Sequence, residues 1–162
     1  MSAQTTPPRA FADHDHAHCT QDGLARAEDL ARQRGLRLTP VRRRTLEILL
    51  EDHRALGAYE VLERLARDGF GRQPPVAYRA LEFLVENGLA HRIQRLNAFT
   101  ACSHPGEDHQ AVFLICHACN SVAEAPADAP RRALEATAGA LGFRVERASI
   151  EAVGLCPQCA TP

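Results

Sequence analysis

Two C-x-x-C pairs, Cys116/Cys119 and Cys156/Cys159, constrain this chain more than any other feature. Two thiolates three residues apart can chelate one ion, and four complete a closed tetrahedral zinc site. The 36 residues between the pairs exceed a single zinc ribbon, so a strand-helix-strand insert is expected to return the second pair to the first. A redox dithiol is the competing reading, but neither pair lies in a thioredoxin-like βαβ context. Disulfides are a second alternative. The N-terminus has no apolar stretch of signal-peptide type, and no apolar run approaches the roughly 20 residues of a spanning helix. A cytoplasmic location without membrane association is therefore expected, and there thiols stay reduced. A closed four-cysteine site has no open position; it is a staple rather than a catalyst.

The segment around the pairs needs such a staple. Ala111–Cys116 is a continuous apolar run of strand length, a helix is expected from an Asp128 N-cap to Leu141, and a last strand from Phe143 to about Val153. The parity of apolar positions switches along that strand, which predicts a bulge near Arg147. A unit of about 55 residues buries little core by itself, so a metal and a dimer partner are the expected remedies.

The first half reads differently. A helical pattern from Asp22 places Leu24, Ala27, Leu30 and Ala31 on one face and stops at Gly35. Thr39-Pro40 restarts it, with Val41, Thr45, Ile48 and Leu49 inward. A third helix is expected over Ala58–Arg67 and a fourth over Val76–Asn87. An extended pair follows, Leu89–Arg95 and Phe99–Cys102, with a turn near Asn97. Helices followed directly by a small hairpin are the order of a winged helix-turn-helix. The expected fold class is α+β: an N-terminal winged helix-turn-helix, then a small α/β dimerisation domain with a four-cysteine zinc site. The boundaries are a flexible His-rich tail at 1–20, a DNA-binding domain at 21–103 and a metal-binding dimerisation domain at 104–162.

Charge is distributed unevenly. All 19 basic residues are arginine, and 15 lie within positions 1–95 against 13 acids, whereas 96–162 hold four against seven. From Arg32 to Arg44 there are six arginines and no acid. A phosphate-contacting patch and a solvated helix end are both open readings.

A second set of metal-capable residues is dispersed: His91, Cys102, His104, His109, His117 and Glu124. Several such residues around a domain junction suggest a metal that would fix the orientation of the two units, the bistable element of a sensor. The tail adds His14, His16, His18 and Cys19, an incidental run or a loose third site. No general base is paired with a substrate pocket, so an enzyme is not expected.

The chain resembles the ferric uptake regulator family, and most of all its zinc uptake regulator branch. The resemblance is carried by Arg37-Leu-Thr-Pro-Val-Arg42, Ala58-Tyr-Glu-Val-Leu62, Pro74-Pro-Val-Ala-Tyr-Arg-Ala-Leu81, Glu86-Asn-Gly-Leu89, Cys116-His-Ala-Cys119 and Gly154-Leu-Cys-Pro-Gln-Cys159. It implies a homodimer that binds double-stranded operator DNA when zinc-loaded and represses zinc uptake and homeostasis genes. It further implies two zinc ions per subunit, one structural at the four cysteines and one regulatory at His91, Cys102, His109 and Glu124. The loop after Cys102 is short by a residue against the branch, so His104 is a rival to His109. Tyr78 and Arg79 on the fourth helix would contact DNA, with Arg42 and Tyr59 beside them. An iron-, manganese- or peroxide-responsive regulator of the same family is the alternative; Cys102 favours zinc. Val76-Ala77 stand where the family commonly has Thr-Val, and the missing Thr cap is expected to cost that helix about 1 kcal/mol.

Overall fold

The computed structural model describes residues 9–12, 15–107 and 110–161. After a single 3₁₀ turn, Arg9–Phe11, come four helices: α1 (His16–Arg34), α2 (Pro40–Leu50), α3 (Ala58–Arg67) and α4 (Pro74–Glu86). A wing follows, with β1 (Ala90–Ile93) antiparallel to β2 (Ala98–Ala101). The second unit contains β3 (Ala111–Cys116), β4 (Val122–Pro126), α5 (Asp128–Ala140), β5 (Ile150–Gly154) and the short α6 (Pro157–Ala160).

Local chemistry sets most boundaries. Thr39 accepts a hydrogen bond from the Arg42 N–H while Pro40 opens α2, so two of the orphan positions at a helix start are resolved by two residues. Gly35 stops α1 at φ 64°, the left-handed conformation in which its own N–H and that of Leu36 turn back onto the Ala31 carbonyl. In α3 the Glu60 carboxylate accepts from the Gly57 N–H at 2.9 Å. The expected inward positions are buried: Ala27 and Leu30, Ile48 and Leu49, Val61 and Leu65, Leu81 and Leu84. With Leu56, Leu89 and Phe99 they form one apolar core for the first unit. Thr45 is fully enclosed as well, and its hydroxyl donates to the Val41 carbonyl at 2.8 Å.

Several expectations are corrected. Asp15 caps α1 by accepting from the Ala17 N–H, so the helix begins at His16 rather than Asp22, and residues 16–20 of the expected flexible tail are helical. Phe11, in the same tail, is buried. Gln73 is the N-cap of α4, which starts at Pro74. Position 76 is thus the third helical residue, and the expected cost of a missing Thr cap there does not arise. Asp128 lies in the first turn of α5 with Ala127 as N-cap, so it serves the helix dipole and not the cap. β5 covers only Ile150–Gly154, and the stretch expected to bulge near Arg147 lies outside any strand. β4 was not anticipated: Val122-Ala-Glu-Ala-Pro126 has neither strict alternation nor a β-branched run.

The second sheet has the order β4-β3-β5, with β3 antiparallel to β4 and parallel to β5. Its central strand is the continuous apolar run, as burial on both faces requires. Backbone hydrogen bonds and apolar packing are among the contacts that bind this sheet to the first unit. The connection between α2 and α3 pairs with the wing through Leu56 and Phe99, whose N–H and C=O groups exchange two 2.8 Å bonds. The same connection accepts the Val122 N–H on the His53 carbonyl at 2.8 Å. Ile93 of the wing is buried with Phe113, Ile115 and Val122 of the sheet.

Candidate metal centres and nucleic-acid face

The four cysteines converge as their spacing suggested: their sulfurs all lie within 4.8 Å of one another. Cys116 ends β3, Cys119 follows in the turn, Cys156 caps α6 and Cys159 lies within it. The Cys119 and Cys156 sulfurs are 3.8 Å apart, about the separation that two thiolates on a tetrahedral zinc with roughly 2.3 Å bonds require. Backbone hydrogen bonds from Cys156 and Cys119 lower the Cys116 thiol to about 6. The hydroxyl of Ser121 lowers Cys119. Cys159 is raised to about 12 by its sulfur neighbours, first Cys156. Ionisation is thus eased at Cys116 and Cys119 and opposed at Cys159 beside them, a crowding of thiols that a divalent cation relieves. The donor set fits zinc. One side of the cluster is closed by the N-terminal turn: Phe11 packs with Cys116, Ala123 and Cys156, and Gln158 Nε2 donates to the Phe11 carbonyl.

A second group lies at the junction of the two units. His91 of β1, Cys102 just beyond β2 and Glu124 of β4 offer ligand atoms that all lie within 4.8 Å of one another. Cys102 is held by its N–H on the Leu89 carbonyl at 3.0 Å, which continues the wing's ladder. Glu124 Oε1 is 3.4 Å from His91 Nε2, and Oε2 accepts from the Ser103 N–H at 2.9 Å. The His91 ring packs against Phe113, the strand partner of Glu124, with centroids 5.1 Å apart. Burial, and then the charge of Glu124, push the Cys102 thiol up to about 12. One thiol, one imidazole and one carboxylate form a borderline-soft set of the kind zinc prefers.

The other expected ligands are placed differently. His109 lies outside the described residues, as does His14. His104 is exposed and does not join the junction group; its backbone hydrogen bond reaches Cys102 instead. His117 is exposed inside the first cysteine pair. His18 and Cys19 do not enter either metal-capable group among the described residues. Ser103 and Phe113 are not legible in the sequence, because each acts through a neighbour that only the fold brings near; Ser121, two residues from Cys119, is near enough in sequence to have been named.

The face of α4 opposite its buried Ala77, Ala80, Leu81 and Leu84 presents Tyr78 and Arg79 side by side, both exposed. Tyr59, near the start of α3, is also exposed. Arg42 is anchored: its guanidinium stacks 3.7 Å over the Phe83 ring and donates to the Arg37 carbonyl at 2.8 Å. The arginine run is not uniformly free charge. Arg43 pairs with Glu28 at 2.6 Å and with Glu47, and Arg44 pairs with Glu51 and Asp68 at 2.6 Å each. Arg32 pairs with Asp29. For these three the solvated-helix reading holds, with acids supplied from outside the run.

The family model described as "Ferric uptake regulator family" matches residues 33–153. The chain is 35% identical to the zinc uptake regulation protein of Escherichia coli (strain K12) over 141 residues, 86% of this chain and 82% of the relative. A zinc uptake regulator complexed with zinc and DNA superposes with a TM-score of 0.80 at 35% identity, covering 86% of this chain and 94% of that one. Holo XcZur superposes at 0.77 and apo XcZur at 0.52, both at 38% identity, covering 87% and 89% of this chain and 99% of each of theirs. The chain therefore superposes more closely on the holo form of that protein than on its apo form. No helix among the described residues is long and apolar enough to cross a membrane.

Proposed function

Because the chain belongs to the ferric uptake regulator family, we propose that it is a zinc-dependent transcriptional repressor of zinc uptake genes, binding double-stranded operator DNA as a homodimer. The observation that carries this reading is the convergence of His91 and Cys102 from the wing with Glu124 from the second sheet. The reading contains no catalytic step, and its setting is the cytoplasm.

Two zinc ions per subunit are proposed. The structural one is held by Cys116, Cys119, Cys156 and Cys159. The regulatory one is held by His91, Cys102 and Glu124 with His109 as fourth ligand, and His104 is the alternative. Zinc, when bound, supplies a dicationic centre on which Cys102 is stable as a thiolate beside the Glu124 carboxylate. The Ser103 N–H fixes one oxygen of Glu124 and leaves the other toward His91. Phe113 sets the tilt of the His91 ring. The wing and the second sheet are thereby tied at one point, which fixes how the reading helix is presented. On that helix Arg79 suits bidentate guanine contacts and Tyr78 phosphate or thymine-methyl contacts, with Tyr59 and the anchored Arg42 alongside. Leu141, Phe143, Val153 and Leu155 expose apolar surface on the second unit, which supports a partner subunit there. The proposed division is 104–162 for metal and dimerisation and, for DNA, the expected 21–103 extended back to the start of α1 at His16.

The test is binding to operator-type DNA by protein with one zinc per chain, titrated with Zn²⁺, Fe²⁺ and Mn²⁺ beside Cys102→Ala. Activation by buffered traces of zinc, absent in the variant, is expected. Activation by iron or manganese that survives the substitution would replace zinc in this proposal.

A further inference from the structure

The wing is held at its tip as well as at its base. Glu151, on β5, reaches the turn between β1 and β2: Oε1 accepts the Gln94 N–H at 2.7 Å and Oε2 accepts the Arg95 N–H at 2.9 Å. Two oxygens of one carboxylate on two successive backbone amides make a bidentate, charge-assisted contact with a defined direction. The turn is internally closed, with the Asn97 N–H on the Gln94 carbonyl and Arg92 donating to the Asn97 side chain at 2.7 Å. The amides of Gln94 and Arg95 therefore face outward as a ready anion cradle. Glu151 stands opposite Phe113 in the β3–β5 ladder, and Phe113 carries the His91 ring, so the latch and the junction metal group share one strand neighbour.

Resting on the repressor reading above, we propose that Glu151 is a positioning residue for DNA binding, clamping the wing tip to the dimerisation sheet. The apolar packing of Ile93 against the sheet is non-directional and tolerates rotation of the wing. The Glu151 contact does not. It fixes the wing, with exposed Arg95 at its tip, at a set angle to the unit that dimerises. Both wings of a dimer then meet the duplex together.

Glu151→Gln keeps the shape but turns an amide N–H₂ toward one of the two backbone donors, so it breaks half of the clamp. Duplexes are first selected from a random pool by zinc-loaded wild-type dimer, and affinity for the selected duplex is then compared between wild type and variant, with and without the junction zinc. The expected result is a loss of roughly tenfold in zinc-loaded affinity, the scale of one charge-assisted hydrogen bond, with zinc content, dimerisation and metal-free affinity unchanged. Removing a negative charge near DNA would by electrostatics alone raise affinity. Equal or higher affinity in the variant overturns the latch and leaves the repressor reading standing. Failure of the wild type to select any duplex overturns the repressor reading itself. Should the variant fail to dimerise, amide exchange in zinc-loaded wild type decides: protected amides at Gln94 and Arg95 support the clamp, and exchange at the rate of open solvent overturns it.

Discussion

Nε2 of His91 lies 3.4 Å from Oε1 of Glu124, and the two residues belong to different units, one on the wing and one on the second sheet. A contact of that kind reports the angle between the units, because any rotation of the wing separates the pair. On the proposal of two zinc ions per chain, Glu124→Ala is expected to leave one and to lower zinc-stimulated DNA affinity about 5- to 150-fold, the usual range of a coupling energy. Metal counting by mass spectrometry beside a DNA titration checks both; a variant that still holds two ions would remove Glu124 from the site.

The Cys102 thiol predicts a pH dependence. Burial raises it from 9.0 to about 12, so in protein lacking the junction zinc the folded state favours the neutral thiol. That contribution to stability is complete below about pH 9 and is lost as the pH climbs through about 12. The melting temperature of protein with the structural zinc alone should fall over that window more steeply than that of Cys102→Ala. Parallel curves for the two proteins would show that the thiol does not titrate as described.

Phe11 covers one side of the four-cysteine cluster. Phe11→Ala should speed the release of structural zinc to a chromogenic chelator several-fold, because water and competitor then reach Cys116 and Cys156. Cys116→Ser removes a ligand outright and should leave the second unit unfolded, since a structural zinc contributes about 10 kcal/mol or more to folding. Circular dichroism with metal analysis separates the two outcomes.

Gly106 lies in the loop between β2 and β3 at φ 90°, and a Cβ there would sit 2.9 Å from a methyl of Leu30 on α1. Gly106→Ala combines backbone strain with that approach and should destabilise the protein by about 1–3 kcal/mol. It should also weaken regulatory zinc, because this loop joins the Cys102 region to β3. A denaturant titration and a zinc competition assay measure the two effects; wild-type values in both would mean that the loop adjusts freely.

Arg79→Ala is expected to lower affinity for the selected operator by about 1–3 kcal/mol while leaving stability and zinc content unchanged. Leu81→Ala, two residues on but fully buried, should instead destabilise by about 2–5 kcal/mol. The contrast tests the assignment of the two faces of α4.

The legible parts of this molecule were those carried by local spacing. Helices ended by Gly35 or opened by Thr39-Pro40, and the cysteine pairs at strand and helix ends, could be read because the signal and its effect lie within a few residues. β4 escaped because its strand character comes from pairing with Phe113 and Leu114, not from its own Ala-rich composition. The start of α1 escaped because one capping aspartate outweighs a polar, apolar-poor stretch. At the junction site Glu124 could be counted among the dispersed metal-capable residues, but its place in a ligand set came only by resemblance; nothing near it in sequence announces that Ser103 and His91 will face it. The arginine run left two readings open that only the fold could separate, since Glu28 and Asp68 pair with Arg43 and Arg44 across elements.

The short connection at 53–56 has a kinetic consequence. Its Leu56 pairs with Phe99, which is synthesised well before the cysteine pairs, whereas its His53 carbonyl waits for Val122. The first unit can therefore close its core and finish the wing while the metal-bearing half is still emerging from the ribosome. The second half then docks onto an edge already in place, shortening the search that its non-local contacts, such as Val122 with His53, would otherwise demand.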